Sequence, residues 1–247
     1  MTANQFFVPR LAEGVCRIVL EGEEHRHLAK AARVRPGETV WLFDGSGRRF
    51  LARVETVGEE RTSLAVLRTE EPETPRTRVM LAACLVEAKK FDAILEKASE
   101  LGCSDVLPVE SARSLKAPGE RTEKKLARWK RIAREAAKQC KSRFVTEVHP
   151  PRPLRDLLRE PPAERRIFLS EHGGRPLRDV VADADPIPGG PPDAVVLLVG
   201  PTGGWTEGEE RDIRRAGFEA ASLGPRILKS ETAALAGTFL IVHHWSD

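Results

Sequence analysis

Two glycine-bearing turns hold most of the residues with chemical potential. The first is LLVGPTGGWTEGEERDI, residues 197–213, in which an apolar run stops at Gly200, glycines follow and acids close the stretch. Turns of this kind after a strand often cradle phosphate, but that needs GxxxxGK[ST] or GxGxxG. Gly200-Pro201-Thr202-Gly203-Gly204 is neither, and no Lys or Arg stands between Gly200 and Glu210. Thr206 and Glu209 have the spacing of a capping box, which satisfies the first amides of the following helix reciprocally. With Glu207, Glu209 and Glu210 in its first turn, that helix start is already complemented and repels phosphate. A ligand with a positive centre, or one held by neutral main-chain contacts, suits the turn. The second turn is ASLGPRILKSETAALAG. A strand ends near Leu223-Gly224, a short loop carries Ile227 and Leu228, and Ser230 is placed to N-cap the last helix, with Glu231 and Thr232 in its first turn.

Basic residues form two further sets. In RTEKKLARWKRIAREAAKQCK, helical periodicity puts Leu126, Trp129, Ile132, Ala133, Ala136, Ala137 and Cys140 on one arc. Lys124, Arg128, Arg131, Arg134, Lys138 and Lys141 share the opposite arc. After Glu123 the only acid there is Glu135. The basic face is either a solvated helix surface or a contact for a polyanion. Nearer the N-terminus lie Arg10, His25, Arg26, His27, Lys30, Arg33 and Arg35, with Arg48 and Arg49 at a hairpin. The net charge of +3 does not decide between these readings. With no tyrosine in the chain, a base-stacking platform lacks support. The four cysteines, Cys16, Cys84, Cys103 and Cys140, form no CxxC pair. Neither a zinc site nor a disulfide framework is expected, only buried reduced thiols.

The elements that must position these residues fall into two groups. Up to about residue 70 the pattern is β-rich. It has a helix over 24–34 stopped by Pro36-Gly37, a hairpin around Asp44-Gly45-Ser46-Gly47 and a further strand in TSLAVLRT, which together suggest a small barrel. Residues 69–78 are charged and proline-bearing and read as a linker. Beyond them apolar strands alternate with helices: VMLAACL, KKFDAILEKASELG, DVLPV, the basic helix, RIFLS, AVVLLVG, the capping-box helix, EAAS and a last helix. That alternation implies a parallel α/β sheet. No apolar run is long enough to cross a bilayer, and MTANQFFVPR lacks a secretory pattern, so a cytoplasmic protein is expected.

LLVGPTGGWTEGE followed by LGPRILKSETAAL resembles the ribosomal RNA small-subunit methyltransferase E family, of the knotted SPOUT class of α/β methyltransferases. HRHLAKAARVRPGE with WLFDGSG is similar to that family's N-terminal PUA-like domain. KKFDAILEKASELGCSDVLPVESARS and RWKRIAREAAKQC are similar to the front of its catalytic domain. The resemblance implies a PUA-like β-barrel RNA-binding domain over 1–73 and a methyltransferase domain over 74–247. The latter would carry a deep C-terminal trefoil knot and a parallel sheet flanked by helices. It implies S-adenosylmethionine bound by Leu198, Gly200, Pro201, Gly203, Gly204, Leu223, Gly224, Ile227, Leu228 and Thr232. It further implies a homodimer without metal that methylates N3 of one uridine in 16S ribosomal RNA of the small subunit. The N3 proton needs an acceptor and the developing charge a stabiliser. Glu231 and Thr232, with Arg226, Lys229 or Arg113, are the candidates; Glu231 also suits the helix N-terminus. RNA contacts are expected at Arg10, His27, Lys30, Arg33, Lys90, Arg128 and Arg131. Thr202 departs from the family's usual GPEGG. A methyltransferase acting on another nucleotide, and an RNA-binding protein with an inactive knot, are the alternatives.

Overall fold

The computed structural model describes residues 4–9, 14–117, 119, 122–183 and 191–245. The chain folds as two compact units, Met1–Thr74 with Ala137–Val145, and Pro75–Ala136 with Thr146–Asp247.

The first unit contains β1 (Gln5–Phe7), β2 (Arg17–Glu21), α1 (Gly22–Arg26), β3 (Thr39–Phe43), β4 (Arg49–Val57) and β5 (Arg61–Glu70). Its five-stranded sheet has the order β1-β3-β4-β5-β2, antiparallel except for β1 with β3. Alternate residues of β2 are buried, the period-2 signature of a strand with one wet face. Phe6, Ile18, Leu20, Leu28, Leu42, Phe50 and Leu64 belong to the core beneath. The helix expected over 24–34 is instead α1 followed by one π-helical turn, His27–Ala31. There the Ala32 N–H reaches back five residues to the His27 carbonyl at 2.9 Å. Arg33, at φ 53°, then turns the chain out of the helix. The distant segment joins through Gln5, whose amide donates to the Ser142 carbonyl at 2.6 Å, and through a Ser46–Phe144 bridge.

The second unit contains β6 (Arg78–Cys84), α2 (Ala88–Glu100), β7 (Asp105–Glu110), α3 (Thr122–Cys140) as far as Ala136, β8 (Glu147–Val148), β9 (Arg152–Pro153) and α4 (Leu154–Arg159). β10 (Arg165–Leu169), β11 (Arg175–Pro176), α5 (Leu177–Ala182), β12 (Ala194–Val199), α6 (Glu207–Arg215), β13 (Glu219–Ser222) and α7 (Ser230–Trp245) complete it. The expected parallel sheet is present, in the order β11-β13-β10-β12-β6-β7-β8, and every strand pair in it is parallel. Its central strands read as unbroken apolar runs because both faces are covered; six successive residues of β6 are buried. Two late strands insert between earlier ones: β12 between β6 and β10, and β13 between β10 and β11. β10 thereby lies between β12 and β13.

Helices close on the sheet through small residues and aromatics. A Cβ on Gly237 of α7 would lie 2.7 Å from the end of the Leu197 side chain, so a larger residue there would push Leu197 of β12 aside. Phe91 of α2 packs on Trp129 of α3 with ring centroids 4.7 Å apart. Cys84 and Cys103 are buried, and burial pushes both thiols up to about 12, so they stay protonated. Cys16 and Cys140 are exposed, against expectation. Cys140 is the last residue of α3.

Candidate cofactor pocket

Ligands of open parallel sheets bind beyond the carboxyl ends of the strands. Here the adjacent strands β13, β10 and β12 send their C-terminal ends and loops around one solvent-open cavity. The loop after β12 contributes Gly200, Pro201, Thr202, Gly204 and Trp205. The loop after β13 contributes Ser222 to Leu228, and the loop after β10 contributes Leu169, Ser170 and Glu171.

The β12 loop is heavily braced. Thr206 and Glu209 form the expected capping box, with Glu209 N–H donating to the Thr206 hydroxyl and Thr206 N–H to the Glu209 carboxylate. The second oxygen of Glu209 accepts from the Ala112 amide at 2.7 Å. Arg113 donates to the carbonyls of Gly203 and Trp205, at 2.8 and 3.3 Å. The Trp205 indole donates to the Leu169 carbonyl at 3.0 Å and covers Gly200, where a Cβ would come within 3.0 Å of the ring. Gly204 has φ 66°, a conformation that side-chain-bearing residues rarely take.

The β13 loop has fewer ties. Ser222 and Gly224 bond each other. Ser230 donates to the Gly200 carbonyl at 2.7 Å, so the hydroxyl expected to cap α7 instead bolts one loop to the other. Ile227 is 80% exposed, an apolar side chain standing open at the rim.

Seven of the ten residues expected to hold a cofactor line this cavity: Gly200, Pro201, Gly204, Leu223, Gly224, Ile227 and Leu228. Leu198 does not; its side chain is in the core because alternate residues of a strand point to opposite faces. Gly203 instead faces the Arg113 side chain, 3.4 Å from its Cβ position. Glu231 and Thr232 sit in the first turn of α7 outside the lining, while Arg226 lines the rim. Arg113, considered for stabilising charge, spends its guanidinium on bracing the β12 loop. Sequence reasoning missed the third wall, Leu169 to Glu171. RIFLSE ends an apolar strand much as LLVGP does, but nothing local says which strands become neighbours.

The basic residues are sorted by their partners. Lys138 of α3 is buried and pairs with Glu24 at 2.9 Å, both within the first unit; it is not on an open face. Arg48 pairs with Asp44, and Arg49 pairs with Glu70 and lies over the Trp41 ring at 4.0 Å. His25 is buried between Thr62 and the Glu59 carbonyl, and His27 packs edge-on to Phe6. In the second unit Arg128 pairs with Asp92 and Lys90 with Glu87. Lys30, Arg33 and Arg131 are exposed. Arg10 lies outside the described residues. Asp105, Glu147 and His149 bring three ligand-type groups together, and the Arg78 guanidinium already binds both Asp105 oxygens, at 2.6 and 2.7 Å.

The pocket combines apolar side chains, main-chain groups at glycines, a carboxylate at Glu171 and no phosphate-binding loop. That set fits an amphipathic cofactor with an adenine ring and a cationic centre. Comparison with known proteins gives the same picture. Residues 72–242 match the RNA methyltransferase domain family and residues 20–67 the RNA methyltransferase PUA domain family. The chain is 29% identical over 239 residues to ribosomal RNA small subunit methyltransferase E of Mycobacterium bovis, covering 95% of this chain and 89% of the relative. Its fold superposes with a TM-score of 0.87 on the Neisseria gonorrhoeae ribosomal RNA small subunit methyltransferase E bound to S-adenosylmethionine. That protein is 32% identical, with 98% of each chain covered. A methyltransferase of Legionella pneumophila with bound S-adenosylmethionine gives a TM-score of 0.85 at 27% identity, with 97% of each chain covered.

Proposed function

The chain belongs to the ribosomal RNA small subunit methyltransferase E family, and from that premise we propose that it methylates N3 of a uridine in 16S ribosomal RNA using S-adenosylmethionine. The observation carrying the reading is the three-loop pocket at the carboxyl ends of β13, β10 and β12, in a chain similar to these enzymes over nearly its whole length. When bound, the cofactor supplies a methyl group already activated by its sulfonium. The chain's contribution is then mainly orientation, which can be worth about 7–11 kcal/mol of a barrier. Gly200, Gly204 and Gly224 offer main-chain groups, and Leu223, Ile227 and Leu228 an apolar slot for adenine. Arg226 on the rim is assigned to the negative charge that develops on uracil. Glu231 and Thr232, in the next helix turn, are the candidate proton acceptors.

The knot, the dimer, the RNA surface and the cytoplasmic location belong to the same proposal. A knotted C-terminus is supported by the insertion of β12 and β13 between earlier strands and by the Ser230–Gly200 bond. A homodimer is supported by α7, which is rich in apolar residues with no distinct polar face and leaves Phe239 50% and Leu240 37% exposed; such a helix is normally covered. Among the described residues no helix is long and apolar enough to cross a membrane. RNA contact is assigned to Lys30 and Arg33 in the first unit and Arg131 in the second.

Calorimetric titration with S-adenosylmethionine tests the cofactor: absence of binding would sink the methyltransferase reading. Nucleoside analysis of 16S RNA from cells lacking the protein tests the target. Loss of 3-methyluridine is expected, and its persistence would rule this target out.

A further inference from the structure

The pocket has an electrostatic component that its glycine loops do not supply. Its charged lining residues are Glu171 and Arg226, and the β12 loop contributes only neutral residues. Glu171 is presented by a fixed turn. The Leu169 carbonyl is held by the Trp205 indole at 3.0 Å. The Ser170 hydroxyl, on a buried residue, donates to Glu210 at 3.0 Å and accepts from the His172 amide at 3.2 Å. Between these clamps the Glu171 side chain has neither an ion pair nor a hydrogen bond among the described residues. Its carboxylate stands over Gly204, with Oε2 3.5 Å from where a Cβ would be.

An exposed carboxylate at a pocket mouth, without a partner of its own and carried by a braced turn, is an available counter-charge. Placing a cation in a partly dry cleft is costly unless an opposite charge compensates it. We infer that Glu171 is the counter-charge for the sulfonium of the methyl donor, and that it makes the pocket prefer S-adenosylmethionine over S-adenosylhomocysteine. This rests on the methyltransferase reading above. The two ligands carry the same adenosine, ammonium and carboxylate and differ at sulfur, cationic in the donor and neutral in the demethylated product. A carboxylate near that sulfur therefore holds the charged cofactor and releases the spent one. Because it stabilises the bound donor more than the transition state, where the positive charge fades, it serves cofactor affinity and product release and does not lower the chemical barrier.

The test is calorimetric titration of the full chain and of Glu171→Gln with each ligand, at low and high salt. The isosteric amide is expected to weaken S-adenosylmethionine about tenfold, as for a charge pair at a solvent-accessible site, and S-adenosylhomocysteine by less than about twofold. Added salt should erode the wild-type preference for the charged ligand and leave that of Glu171→Gln unchanged. Equal losses for the two ligands would assign Glu171 a structural or ammonium-binding role and overturn the proposal, as would an unchanged preference. A wild-type chain that binds neither ligand would instead overturn the methyltransferase reading itself.

Discussion

The loops after β12 and β13 face each other across one cavity, yet they are held differently. The β12 loop is gripped by Arg113 from the β7 side, by the Thr206–Glu209 box at the start of α6 and by Trp205 bonding to β10. The β13 loop is tied internally by Ser222 with Gly224 and from α7 by the Ser230 bond to Gly200, and it leaves Ile227 open to water. One wall is built before any ligand arrives, while the other keeps an apolar side chain in reserve. Preorganisation of this kind lowers the ordering cost of binding, and burial of the reserve residue adds affinity once a ligand covers it.

Five substitutions can break or sharpen that contrast. Trp205→Ala removes the buried ring that joins the β12 and β10 loops and is expected to destabilise the chain by about 3 kcal/mol, read by denaturant unfolding. A loss under about 1 kcal/mol would mean the brace lies elsewhere. Gly204→Val forces a β-branched residue to φ 66°, a strain of about 2 kcal/mol. Cofactor affinity should drop at least tenfold, whereas Gly203→Val, directed at the Arg113 side chain, should keep it within about threefold. Comparable losses in the two titrations would contradict the assignment of Gly204, not Gly203, to the pocket wall. Thr206→Ala deletes the N-cap and should lower stability by about 1 kcal/mol, seen as a reduced thermal midpoint. Ile227→Ser should change stability by less than about 0.5 kcal/mol yet weaken the cofactor about fivefold. A large stability loss there would show that the open wall is packed in solution.

Much of this was readable in advance because it is local. The capping box needs only Thr206 and Glu209 at the right spacing, and the acids at Glu207, Glu209 and Glu210 excluded phosphate on charge alone. The apolar runs of β6 and β12 carry the buried parallel sheet in their composition. What escaped depends on partners far along the chain. Periodicity puts Lys138 on a face that is either solvated or open to a polyanion, but Glu24, more than a hundred residues away, draws it into a buried pair. Arg113 was weighed for its charge, and its guanidinium is used as a bracket. Ser230 was assigned to its own helix, and its hydroxyl crosses to Gly200.

The sequence by itself determined the alternation of strands and helices, the two glycine loops and their unsuitability for phosphate, since propensity, capping and charge act over a few residues. Only the tertiary structure decided that β10 comes to lie between β12 and β13. Strand order is set by which apolar faces bury together, a non-local choice that no single segment encodes. That choice brings Glu171 into the pocket beside Gly204 and gives the site a carboxylate its glycine loops lack.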